Sequence, residues 1–286
     1  MIPSISTDIL QEYEPDEAIR VIGEAGFRCV EFGFGHEADF LEGKEDEGAR
    51  IERIKRAAEK AGVQILQMHG RLFNPLSGKD SEANIAWAHR SIERAAKLGV
   101  KWVVLHPGGP AGPGADPKEY EETTRFNLDL FTSYAKTAAR VGTGVAVENM
   151  IGGARGLRWG AGVTDLVRLV DAIDGPIGIC WDTGHAELSR VPQGRAIRAI
   201  GHRLKALHIN DNDGLEDRHW APYRGQANWE EVVAALREIV YAGPFNAELP
   251  GEQKATPTPV KPAKLAYLRQ LLGLMTQAQV SAQAAS

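Results

Sequence analysis

The sequence predicts an α/β protein folded as a single (β/α)8 TIM barrel, and three observations carry that prediction. Short, β-rich apolar runs alternate with longer stretches of helical period along the whole chain. The runs number eight, the count at which a parallel sheet with right-handed crossovers closes on itself. No glycine-rich dinucleotide fingerprint follows the first run, which argues against an open, doubly wound sheet.

Taken in order, the predicted strands are Ile2–Ser6, Arg28–Phe32, Gln64–His69, Trp102–His106, Val145–Asn149, Ile177–Asp182, Leu204–Asn210 and Phe245–Leu249. Amphipathic helices are expected between them, among them Pro15–Ala25, Ala49–Ala61, Ser81–Leu98, Pro117–Val141 and Trp229–Tyr241. Gly26, Gly62, Gly99, Gly142 and Gly243 stand between a helix and the next strand, where a left-handed residue commonly ends a helix. No compositional break marks a domain boundary. Residues 1–275 are therefore expected to form one barrel, and 276–286, TQAQVSAQAAS, a disordered tail.

The chain has 286 residues, 43% hydrophobic and 25% charged, enough to bury a full barrel core. Its net charge of -5 gives no global attraction for a polyanion, so nucleic acid is not the expected partner. Two cysteines, Cys29 and Cys180, lie inside predicted strands and are expected to be buried and reduced. The N-terminus lacks a basic stretch followed by an apolar run, and no segment approaches the roughly 18–20 apolar residues of a membrane span. A cytoplasmic location is the corresponding expectation.

In a closed parallel barrel the carboxyl ends of the strands converge on one mouth. Here those ends carry Glu31, His69, His106, Glu148, Asp182, His208 and Glu248, with His185 three residues after Asp182. His accounts for 8 and Asp plus Glu for 38 of the 286 residues, so a random position carries one of them about one time in six. Seven strand ends doing so is not composition. Singly, a strand-end Glu reads as a solvated carboxylate and a lone His as a structural residue. Packed into one mouth, the array would repel itself and desolvate badly without a neutralising cation, which points to a divalent metal.

Several loops add candidates. GGARGLRWG (152–160) offers Arg155, Arg158 and Trp159 near the mouth, able to hold a hydroxyl, carboxylate or phosphate or else to remain solvated. FGFGHEADF places Phe34, His36 and Phe40 at the rim, for packing on a substrate ring or else for core or lid packing. HPGGPAGPGADP lacks the Lys and Ser/Thr of a nucleotide loop and reads as a connector. Trp220 and Tyr223 either cover the site or meet a second subunit. His89 and His202 lie in helical stretches and read as surface residues.

The motifs MHG (68–70), LHPG (105–108), VENM (147–150), WDTGH (181–185), LHINDNDG (207–214), DRH (217–219) and AELPGE (247–252) resemble those of the xylose-isomerase-like barrel superfamily. That superfamily holds sugar phosphate isomerases and epimerases together with endonuclease IV. The resemblance covers residues 2 to about 270, one motif per βα unit.

In its sugar isomerase branch the resemblance implies one metal held by Glu148, Asp182, His208 and Glu248. Glu148 and Glu248 would then remove and return a proton beside a carbonyl, through an enediolate. Such a mainly oxygen site suits Mn²⁺, the expected metal, with Mg²⁺ or Co²⁺ as alternatives and Zn²⁺ if further histidines join. The substrate implied is a small keto-sugar or sugar derivative, and the chain could act as a homo-oligomer.

The endonuclease IV branch implies instead three zinc ions held by His69, His106, Glu148, Asp182, His185, His208, Asp217, His219 and Glu248, acting on abasic DNA. A lyase or dehydratase acting on an oxidised sugar or glycoside would start from the same enolate. The stretch from His208 to Glu252 looks more like the sugar branch, although RGQANW stands where that branch usually has GEG-I-DW. In the sugar branch, His69, His106, His185, Asp217 and His219 would serve as substrate contacts or second-metal ligands.

Overall fold

A computed structural model describes residues 1–41, 46–76, 80–109, 112, 114–152 and 158–277. Its eight strands are β1 (Ile2–Ser6), β2 (Cys29–Phe32), β3 (Gln64–His69), β4 (Trp102–Leu105), β5 (Gly144–Glu148), β6 (Ile177–Asp182), β7 (Leu204–His208) and β8 (Pro244–Ala247). Every neighbouring pair from β8 through β1 round to β7 is parallel. The ring closes between β7 and β8 through a parallel bridge, Ile209 to Ala247. There the Ile209 N–H donates to the Asn246 carbonyl at 2.7 Å, and the Glu248 N–H to Ile209 at 3.2 Å.

The helices are α1 (Pro15–Glu24), α2 (Phe34–Ala38), α3 (Glu47–Ala61), α4 (Ser81–Leu98), α5 (Pro117–Val141), α6 (Val163–Ala172), α7 (Thr183–Leu188), α8 (Gln193–Ile200), α9 (Trp229–Glu238), α10 (Pro250–Ala255) and α11 (Lys261–Thr276). None of them is long and apolar enough to cross a membrane. The expected tail lies outside the described residues from 278 onward, and α11 runs through its first residue, Thr276.

Gly62, Gly99 and Gly142 cap α3, α4 and α5 in the left-handed conformation, as the sequence predicted. The helix expected to reach Tyr241 ends instead at Glu238, because Val240, not Gly243, takes the positive φ (55°). Gly243 serves close approach: a Cβ there would lie 2.5 Å from the Tyr241 hydroxyl.

The large apolar core fills the layer between strands and helices, from Ile5, Val30 and Val103 to Leu265 and Leu272. Inside the barrel a smaller cluster, Val104, Ala146, Cys180 and Ala206, forms a separate layer. Strand side chains alternate with period two, so the residues two positions on, His106, Glu148, Asp182 and His208, share that inward face one level higher. This alternation stacks the chemical groups on an apolar floor. Both cysteines are free and buried, in keeping with the sequence.

Candidate metal centre

Glu148, Asp182, His208 and Glu248 each offer a ligand atom within 4.8 Å of the others, and all four are buried. His208 Nδ1 lies 3.0 Å from Glu148 Oε1, 3.6 Å from Glu248 Oε2 and 3.9 Å from Asp182 Oδ2. Its other nitrogen, Nε2, sits 2.8 Å from Glu31 Oε2. A proton on Nε2 donated to Glu31 leaves the Nδ1 lone pair facing the three carboxylates, the tautomer a metal requires. Gln67 in turn donates to Glu31 and to the Leu207 carbonyl, so the orienting carboxylate is itself held.

Asp182 ends β6 and caps α7. Its Oδ1 accepts from the His185 N–H at 2.7 Å and its Oδ2 from Asn210 Nδ2 at 2.8 Å. Asn149, beside Glu148, pairs with both the N–H and the carbonyl of Asp182. Position 184 must be glycine for this arrangement, since a Cβ there would sit 1.8 Å from Asn210 Oδ1.

A second group, His185, Asp217 and His219, also meets within 4.8 Å. His185 Nδ1 is taken by the Asn149 carbonyl at 2.8 Å, which turns Nε2 toward Asp217 Oδ2 at 3.6 Å. His219, with φ of 46°, brings Nε2 to 3.0 Å from the same oxygen. The loop carrying these two is latched from below. Glu252 accepts the Ala221 N–H and pairs with Arg224 and Lys264, while Asp211 accepts from Trp229 Nε1 at 2.9 Å. His69 Nε2 (3.4 Å) and His106 Nε2 (3.0 Å) approach Glu148 Oε2 and link the first group to the barrel's other side.

The electrostatics explain why a cation fits. Burial pushes the Glu148 carboxyl up, yet His208 and His106 override it and hold it well below the usual range. Burial raises Glu248 although the His208 and His219 imidazoles pull it down. Burial opposes a charge on His69, but the Glu148 carboxylate lifts it to about 9. For His219 too, Asp217 and Glu248 outweigh burial and bring it to about 9. Among the described residues no Lys or Arg pairs with Glu148, Asp182 or Glu248, so only imidazolium protons answer these charges. A divalent cation does the same work while leaving the histidines neutral.

The structure thus brings together nine of the predicted residues: His69, His106, Glu148, Asp182, His185, His208, Asp217, His219 and Glu248. His36, expected at the rim, is instead fully buried, with Nδ1 2.8 Å from the Thr7 hydroxyl and Nε2 3.0 Å from the Tyr13 carbonyl. Both ring nitrogens are spent inside the fold because Gly33 and Phe34 lead directly into α2 and turn the segment inward. Arg155 lies outside the described residues; Arg158 is half-buried with Nε 3.3 Å from the Gly109 carbonyl. Sequence reading left four supports unassigned: Glu31 as the partner of His208, then Gln67, Asn149 and Asn210. Two signals could have found them, the i−2 spacing of Gln67 from His69 and the adjacency of Asn149 to Glu148.

The model of the xylose isomerase-like TIM barrel family matches residues 19–271, and the chain belongs to that family. Among curated proteins it is 26% identical over 273 residues to the uncharacterized protein y4fM of Sinorhizobium fredii, covering 82% of each chain. It is 25% identical over 280 residues to a probable endonuclease 4 of Nitratidesulfovibrio vulgaris, covering 90% of this chain and 94% of that one. Three solved structures share the fold. A D-tagatose 3-epimerase-like protein matches at TM-score 0.74 and 21% identity, over 97% of this chain and 100% of the other. D-psicose 3-epimerase with D-fructose matches at 0.78 and 17%, with the same coverage. IolI with a zinc atom matches at 0.74 and 14%, over 96% and 98%.

Proposed function

We propose that this protein is a metal-dependent isomerase or epimerase acting on a keto-sugar or sugar derivative in the cytoplasm, with Glu148 and Glu248 as its proton-transfer groups. The observation that carries the reading is the convergence of these two glutamates, from β5 and from just after β8, on one buried centre with Asp182 and His208. Glu148, Asp182, His208 and Glu248 would hold the metal, Mn²⁺ by their mainly oxygen character. When bound, such an ion polarises a carbonyl and stabilises charge developing on its oxygen.

The chain's own residues supply the rest. One glutamate accepts the proton next to the carbonyl and the other returns it, the exchange that distinguishes an epimer or isomer from its parent. Glu31 and Gln67 keep His208 in one tautomer, and Asn149 and Asn210 keep Asp182 from rotating. The test is solvent-proton exchange into ketoses in deuterated water by manganese-loaded protein. Incorporation that disappears in Glu148→Gln and Glu248→Gln supports the reading; full turnover in both variants ends it.

The His185, Asp217 and His219 cluster favours a second reading, a trinuclear zinc phosphodiesterase of abasic DNA. About three zinc ions per chain with cleavage of an abasic duplex would establish it. A lyase or dehydratase would share the first half of the sugar reaction and reveal itself by an unsaturated product.

A further inference from the structure

Three mouth loops are stitched together at Gly109. Its N–H donates to Asn74 Oδ1 at 3.1 Å, in the loop after β3, and its carbonyl accepts from Arg158 Nε at 3.3 Å, in the loop after β5. The Asn74 side chain also accepts the Leu76 N–H at 3.1 Å, so the first of these loops is pinned as well. Position 109 tolerates no side chain: φ is +92°, and a Cβ would lie 2.7 Å from Thr123 Cγ2.

Arg158 is half-buried in this junction, and burial works against its charge. A guanidinium keeps that charge regardless. Yet among the described residues it makes no ion pair, and the Gly109 carbonyl is its one hydrogen-bond partner. Arg71, two residues after His69 in the loop that Asn74 ties down, likewise forms no ion pair with a described residue. Two arginines of the loop after β7 behave differently: Arg218 pairs with Asp213 and Glu216, and Arg224 with Glu252. The acids of the centre are turned inward onto imidazoles, so they do not answer the charge at the rim.

We infer that Arg158, with Arg71 from the loop tied to the same glycine, forms an anion subsite at the rim, and that the substrate carries a phosphate or carboxylate away from its reacting carbon. An arginine fork binds either group through paired, charge-assisted hydrogen bonds. The acidic centre repels such a group, which fixes the substrate's orientation: anionic end at the rim, carbonyl end at the metal. The sugar identity of that substrate rests on the function proposed above; the anion subsite does not.

The experiment titrates manganese-loaded full-length protein with D-fructose, D-fructose 6-phosphate, D-fructuronate and inorganic phosphate by calorimetry. At least one anionic ketose is expected to bind about tenfold more tightly than D-fructose, the scale of a charge-assisted contact. Preference for the phosphate or the carboxylate names the group. Arg158→Gln should erase that advantage and Arg71→Gln reduce it, each read as the ratio of anionic to neutral ketose affinity in the same variant. Equal binding of neutral and anionic ketoses, or an advantage that survives Arg158→Gln, overturns the inference. If no ketose binds, the sugar reading fails and inorganic phosphate decides the subsite. Weakening of phosphate binding by about fivefold or more in Arg158→Gln supports the subsite, and a smaller change or no binding overturns it.

Discussion

Glu37 and Glu148 are both carboxylates buried in the same barrel, yet their surroundings are built on different plans. Glu37, on α2, accepts from Trp87 Nε1 at 2.9 Å, from the Ser91 hydroxyl and from Arg94 at 3.1 Å. Arg94 also reaches Glu47 at 2.8 Å and lies over the rings of Trp87 and Phe40. Here a permanent cation answers the buried charge and nothing further is required. Among the described residues the partners of Glu148 are titratable imidazoles, and Glu31 Oε1 and Asn210 Oδ1 remain without a hydrogen bond. The closed network is structural; the open one is arranged for something that arrives from outside.

Four perturbations separate the two plans, beginning with the largest effect. Glu148→Gln or Glu248→Gln should lower proton exchange by about 10²–10⁴-fold, the range of a lost acid or base, with little change in far-UV circular dichroism. Arg94→Met should do the reverse. Removing one partner of the buried pair strands Glu37 and costs about 3–5 kcal/mol in urea unfolding, while metal affinity stays near that of the parent protein.

Glu31→Gln tests the link between shells of the open cluster. Loss of the carboxylate behind His208 should weaken metal binding by about 10–100-fold in a competition titration with a chelating dye. An unchanged affinity would mean that Gln67 and packing alone set the imidazole. The last perturbation concerns Asp8, in the turn just after β1. Burial, and then the neighbouring Glu31 and Glu248 carboxylates, raise it from 3.8 to about 7. The folded metal-free protein therefore holds a proton that the unfolded chain has released. The contribution of Asp8 to stability falls as pH rises from about 4 to about 7, by no more than about 1.4 kcal/mol per pH unit, and Asp8→Asn should remove that part of the slope.

Much of this was legible before any coordinates. Period-two and helical-period runs gave every strand, although Trp102–His106 and Val145–Asn149 run one residue too far at the mouth and Leu204–Asn210 and Phe245–Leu249 two, where regular strand pairing ends as side chains turn to the centre. Strand-end chemistry pointed to Glu31, His69, His106, Glu148, Asp182, His208 and Glu248, and the family resemblance singled out Glu148, Asp182, His208 and Glu248 as the metal set. His36 misled because a histidine beside glycines and aromatics reads the same whether it faces a ligand or the Thr7 hydroxyl.

By itself, then, the sequence determined the order of elements, the barrel, and which strand ends carry acids and imidazoles, since those follow from local periodicity. Only the tertiary structure decided which nitrogen of His208 faces the centre, that Glu31 holds the other, and that Arg158 meets no carboxylate among the described residues. Those facts depend on contacts between residues such as Glu31 and His208 or Gly109 and Arg158, far apart in the chain. No local pattern encodes such a meeting; it is fixed when the strands close into a ring and bring their ends to one mouth.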